Sequence, residues 1–119
     1  MKPIIVLVVA AGWLVACGDK IDAVQETCTS GQTATYQQEI KPILDTLCTG
    51  CHSSQLSGAA RNGAPVTVDL DTFQAASKTA EQSNVRLQNE TMPPSGTVAS
   101  AAQKETFSCW LVSGRQEGP

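Results

Sequence analysis

The chain has 119 residues, with eight basic and eleven acidic side chains and a net charge of −3, enough for one small domain and no more. An acidic chain without a run of like charge does not suit a nucleic-acid partner, whose phosphates call for clustered Lys and Arg. Two Trp, two Phe and one Tyr are few from which to build a core, so something else is expected to fill part of the interior.

Met1-Lys2 is a short positive start, Ile4 to Ala16 is an uninterrupted run of small and apolar residues, and Cys17-Gly18-Asp19-Lys20 turns polar. This is the order of a secretory signal, and residues 1–16 are expected to be an export signal peptide. The apolar run falls short of the roughly 20 residues that cross a bilayer as a helix. Leu14-Val15-Ala16-Cys17 resembles the lipobox of bacterial lipoproteins. That resemblance implies an acylated Cys17 as the mature N-terminus, held at the periplasmic face of a bacterial membrane. Ordinary cleavage after Gly18 is the competing reading. Residues 17–33, polar and without periodicity, are expected to form the lipidated N-terminus and a flexible tether, with the domain at 34–119.

Ile40, Ile43, Leu44 and Leu47 recur at i, i+3, i+4 and i+7, which predicts a first helix with one buried face. Pro42 belongs in its first turn, where a missing N–H costs least. Cys48-Thr49-Gly50-Cys51-His52 follows directly. Helical spacing puts the two thiols on one face, with the imidazole one residue further on. Three chemistries use such a cluster. A thioredoxin-type redox pair needs alternating strands and helices, which are not apparent. A zinc site needs further ligands, but the chain has one His and no second close pair of Cys. Cys-x-x-Cys-His resembles instead the haem-attachment pattern of c-type cytochromes, which implies one covalent haem c on Cys48 and Cys51 with His52 on the iron.

Ser53 to Val68, rich in Ser, Gly and Ala, reads as a loop. Asp71 is the expected N-cap of a second helix whose main apolar residue is Phe73. A third helix is expected over Lys78 to Asn89, separate from the second or continuous with it, partly burying Val85 and Leu87. Pro93 and Pro94 end it and push Met92 into an extended conformation. The final helix has Ser100 and Gln103 as a capping box, Phe107, Trp110 and Leu111 on one face, and Gly114 as its stop. No strand pattern of useful length occurs, so the class is all-α, with three or four short helices.

The five cysteines can each be given a chemistry: lipid for Cys17, haem for Cys48 and Cys51, and a disulfide between the remaining Cys28 and Cys109 in an oxidising compartment. A Cys28 left free in the tether is the alternative. For the iron's sixth position, His52 is the only histidine and Met1 leaves with the signal, so Met92 is the expected ligand. A core-filling Met92 is the alternative.

From Tyr36 to Gly114, the order of helix, Cys-x-x-Cys-His, Gly/Pro loop, middle helices, Met-Pro-Pro and terminal helix resembles the small class I cytochromes c. Lys41-Pro42-Ile43-Leu44 before the motif resembles bacterial lipoprotein cytochromes. The resemblance implies that residues 34–119 are a cytochrome c domain, with Ile40 and Leu44 packed against Phe107, Trp110 and Leu111 around the haem. A proline carbonyl often orients the ligating histidine in that family. Here Pro65 either does so or is an ordinary turn proline. The implied role is one-electron transfer with redox partner proteins, not enzymatic turnover. The alternatives are a small-gas binding or sensing subunit with an open sixth site, and a docking subunit of a larger redox complex.

Overall fold

A computed structural model of the protein describes residues 27–94 and 96–119. The expected signal at 1–16, the lipidation site Cys17 and the start of the tether lie outside the described residues. Four α-helices, α1 (Lys41–Leu47), α2 (Phe73–Lys78), α3 (Ala80–Gln88) and α4 (Ala101–Val112), make up most of the regular structure, a single 3-10 turn at Gly58–Arg61 interrupts the expected loop, and no strand occurs among the described residues. The all-α expectation is met to that extent. None of these helices is long and apolar enough to cross a membrane.

The chain enters α1 through a wider turn of π type at Tyr36–Ile40, in which the Ile40 N–H reaches back to the Thr35 carbonyl at 3.2 Å. Pro42 lies in the first turn of α1. It has no N–H to give, and the α-helix starts afresh around it while the preceding turn is loosened. The second helix begins one residue later than expected. Its N-cap is Thr72, whose hydroxyl accepts from the Ala75 N–H at 3.3 Å, because Asp71 is drawn away by Ser53 and Ser54. Thr79 separates α2 from α3. Leu87, expected to be only partly buried, is 2 % exposed and belongs to the core. Ala80, Asn84 and Leu87 form the covered face of α3, which packs on α4. The Asn84 amide oxygen there accepts from Gln88 Nε2 at 3.1 Å and from the Ser108 hydroxyl at 3.3 Å.

Ile40, Leu44, Phe107, Trp110 and Leu111 share one buried cluster, so the expected packing of the first helix with the last is present. The aromatic residues among those described form a chain of contacts: ring centroids lie 5.6 Å apart for Tyr36 and Phe73, 6.3 Å for Tyr36 and Trp110, and 5.5 Å for Phe107 and Trp110. Contacts at such spacing add about 0.5–1.5 kcal/mol each to the burial of the rings.

The capping box of α4 is formed. Ser100 Oγ accepts from the Gln103 N–H at 3.2 Å, and Gln103 Oε1 accepts from the Ser100 N–H at 2.9 Å. Gly114 ends α4 in the left-handed region, φ 88°. Its N–H meets the Leu111 carbonyl while the Arg115 N–H meets that of Trp110, which satisfies the last turn. The carboxyl-terminal segment then crosses back to the start of the domain. The Gln116 carbonyl accepts from Trp110 Nε1 and from the Tyr36 N–H, each at 2.9 Å, and the Glu117 carbonyl accepts from the Gln37 N–H at 2.9 Å.

At the other end Cys28 and Cys109 form a disulfide, with Cα atoms 4.5 Å apart. Glu105, one turn earlier on α4, accepts from the Ser30 N–H at 2.8 Å and the Thr29 hydroxyl at 2.9 Å. Gln32 Nε2 donates to Thr106 Oγ1 at 3.0 Å. The described end of the expected 17–33 tether therefore lies on α4 as part of the domain surface.

Candidate functional site

The end of α1 carries the Cys-x-x-Cys-His residues. The Leu44 carbonyl accepts from the N–H groups of Cys48 and Thr49 at 2.8 and 3.0 Å, and the Cys48 carbonyl accepts from those of Cys51 and His52 at 3.1 and 2.9 Å. The motif is thus wound into turns that continue the helical path, although α1 itself ends at Leu47. Cys48 and Cys51 are both unbonded thiols. Burial pushes the Cys48 thiol up to about 11, with the neighbouring Cys51 adding to the effect. A dithiol redox catalyst needs its attacking thiol shifted in the opposite direction.

His52 is docked twice onto the segment before α2. Its backbone carbonyl accepts from the Leu70 N–H at 2.9 Å, and its Nδ1 lies 2.9 Å from the Val68 carbonyl. A carbonyl only accepts, so Nδ1 carries the proton, and in the neutral ring Nε2 is then the nitrogen with the lone pair. The next residues extend the seam. The Ser53 hydroxyl, the Ser54 N–H and the Ser54 hydroxyl all donate to Asp71 Oδ2, at 2.9, 3.0 and 2.8 Å. Partial burial works to raise the Asp71 carboxyl, but the hydroxyls of Ser54 and Ser53 together outweigh it and hold the group below its usual range.

Two adjoining cavities of about 210 and 380 Å³ share Cys48, His52, Pro65 and Met92 as lining residues, and so form one cleft. Cys51 lines the larger cavity; Leu44, Val68, Leu70 and Leu87 line the smaller. Together they fall in the roughly 300–1,000 Å³ range of small-molecule and cofactor sites. Cys48, Cys51, His52 and Met92, picked out from sequence, are all half-buried at this one cleft. Met92 is brought there by the way α3 stops. Glu90 takes the left-handed conformation, φ 60°, and the N–H groups of Thr91 and Met92 both turn back to the Arg86 carbonyl.

Two thiols, an imidazole and a thioether line this cleft beside Leu44, Leu70 and Leu87, and a donor set of this kind could hold a haem. A metal bound directly by these side chains fits less well, since among the described residues Cys48, Cys51 and His52 do not gather their ligand atoms into one close group. Cys28, Glu105 and Cys109 do cluster, but their sulfurs are bonded to each other and offer no thiolate.

Pro65 lines the cleft without orienting His52. Its carbonyl accepts from Arg61 Nη2 at 2.7 Å, and the acceptor at His52 is Val68. Arg61 is the residue that sequence reading missed. It is 3 % exposed and donates to the carbonyls of Ser53, Ala64, Pro65 and Val68. Its Nη1 lies 2.9 Å from Asp69 Oδ1, a pairing of charges outside hydrogen-bond alignment. The one available signal was that Arg61 is the sole charged residue between Ser53 and Val68.

No protein-family model, curated protein or solved structure matches the chain. The functional reading therefore stands on the cleft itself.

Proposed function

We propose that the chain is a mono-haem c-type cytochrome that passes single electrons between redox partner proteins, exported and held at the periplasmic face of a bacterial membrane through lipid on Cys17. The observation that carries the reading is the state of His52. Its Nδ1 faces the Val68 carbonyl, which leaves Nε2 as the nitrogen that could ligate a metal, and Cys48, Cys51 and Met92 line the same cleft.

The Cys48 and Cys51 thiols would hold the haem by adding S–H across its two vinyl groups, the sulfur bonding to one vinyl carbon and the hydrogen to the other. His52 Nε2 and the Met92 sulfur are the side-chain atoms that would hold its iron. Bound there, haem contributes a one-electron Fe(III)/Fe(II) couple. The hydrogen bond at Nδ1 fixes the tautomer and ring plane of His52, as expected of an orienting partner behind a metal ligand. Leu44, Leu70 and Leu87 give the smaller cavity apolar lining for the porphyrin to rest on.

The test is an intact mass of the exported protein after denaturation, together with its reduced visible spectrum and pyridine haemochrome. A covalent haem adduct is expected, reduced to one thioether in Cys48→Ala or Cys51→Ala. A chain exported beside a working haem-attachment system that carries no adduct would sink the reading.

A further inference from the structure

The Val68 carbonyl has two partners. His52 Nδ1 lies 2.9 Å from it and Arg61 Nη2 lies 3.1 Å from it, which uses both lone pairs of one oxygen. Resting on the haem reading above, we propose that Arg61 is a positioning residue that sets the donor strength of His52 by sharing its carbonyl acceptor, and so raises the reduction potential of the site.

The surroundings of Arg61 make the sharing rigid. The guanidinium also donates to the Ser53 carbonyl at 2.6 Å and the Pro65 carbonyl at 2.7 Å, while Nε donates to that of Ala64 at 3.2 Å. Ser53 directly follows His52, so one planar fork ties both the chain leaving the histidine and the carbonyl facing its ring. Arginine can do this because its donors are fixed in one plane; lysine, with a single nitrogen, cannot. Asp69 beside Nη1 offsets the charge felt at a distance, which leaves the hydrogen bond at Val68 as the local influence.

A carbonyl already polarised by a cation has less electron density to offer a second donor. The Nδ1–H of His52 is then held less strongly, the imidazole keeps less negative character, and Nε2 is a weaker donor to iron. A weaker donor stabilises Fe(III) less than a stronger one does. Freeing Val68 from Arg61 should therefore strengthen its bond to Nδ1–H and lower the potential. A residue that only braces the loop would change stability and leave both quantities where they were.

The experiment uses the full exported chain, labelled with ¹³C and ¹⁵N, as wild type, Arg61→Lys and Arg61→Gln. The midpoint potential is measured, with the His52 Nδ1–H proton shift in the reduced protein. Both variants should show a lower potential and a downfield shift of that proton, because neither retains the fork. Unchanged values in both, with reduced thermal stability, would overturn the proposal in favour of a loop brace. A fall in Arg61→Gln with Arg61→Lys at the parent potential would overturn it in favour of charge alone. Should the variants fail to accumulate, the wild type decides through hydrogen-bond scalar couplings from both His52 Nδ1–H and Arg61 Nη2–H to the Val68 carbonyl; the loss of either refutes the shared acceptor. A wild-type mass without haem defeats the cytochrome reading instead, and those couplings still report on the shared carbonyl.

Discussion

Cys28 is bonded to Cys109 across 81 residues of sequence, and the bond fastens the beginning of the described chain to the last turn of its last helix. Closing so long a loop restricts the unfolded chain by roughly 4 kcal/mol in the chain-entropy account. The double variant Cys28→Ser, Cys109→Ser should lose stability of that order in denaturant titration, with the haem adduct unaffected. An unchanged unfolding midpoint, or two free thiols in protein taken from the oxidising compartment, contradicts the pairing.

The same segment should make stability sensitive to acid. The Ser30 N–H and then the Thr29 hydroxyl hold the Glu105 carboxyl below its ordinary value of 4.5. A group lowered by folding stabilises the folded state fully above its unfolded-chain value, and that contribution fades as pH falls through the folded one. Wild type should therefore be more stable than Glu105→Gln at neutral pH, and the gap should close on acidification below about pH 4. Melting curves at stepped pH values check this; a gap that stays constant to pH 3 rules it out.

Met92→Ala tests the sixth ligand. The variant should keep its covalent haem, have a lower reduction potential and bind carbon monoxide or imidazole. It should also lose the weak long-wavelength charge-transfer band expected from sulfur on ferric iron. If the wild type lacks that band and the variant keeps the parent potential, Met92 is a lining residue and the gas-binding reading gains ground.

Tyr36 makes a less intuitive case. The side chain is 2 % exposed, and its hydroxyl is buried with no hydrogen-bond partner. It lines neither cavity of the cleft. Tyr36→Phe keeps the ring against Phe73 and Trp110 and removes the unpaired group, so stability should hold or rise by about 1 kcal/mol. A substantial loss in thermal denaturation would show that the hydroxyl has a partner.

Local chemistry accounts for what was legible in the sequence. Ser100, Gln103 and Gly114 act within a turn of where they stand, and Ile40 and Leu44 announce their buried face by spacing alone. The four cleft residues were identified one at a time by the chemistry of their side chains. What escaped was decided across distance. Asp71 and Thr72 are equally good caps in isolation, and Ser53 and Ser54, far back in the chain, decide between them. Leu87 and Asn84 are covered because α3 meets α4. Arg61 gains its place from carbonyls that converge only when the loop closes.

The pairing of Tyr36 and Gln37 with Gln116 and Glu117 has a consequence for how the chain is ordered. The carboxyl-terminal residues already lie against the start of the first helical turn, so that turn and the chain's end could be joined directly. A circular permutant that links Pro119 through a short spacer to Thr35, and opens instead at the exposed Thr97-Val98 stretch, would read α4 first and α3 last. It would leave uncut the turns that bring Cys48, Cys51, His52 and Met92 to the cleft.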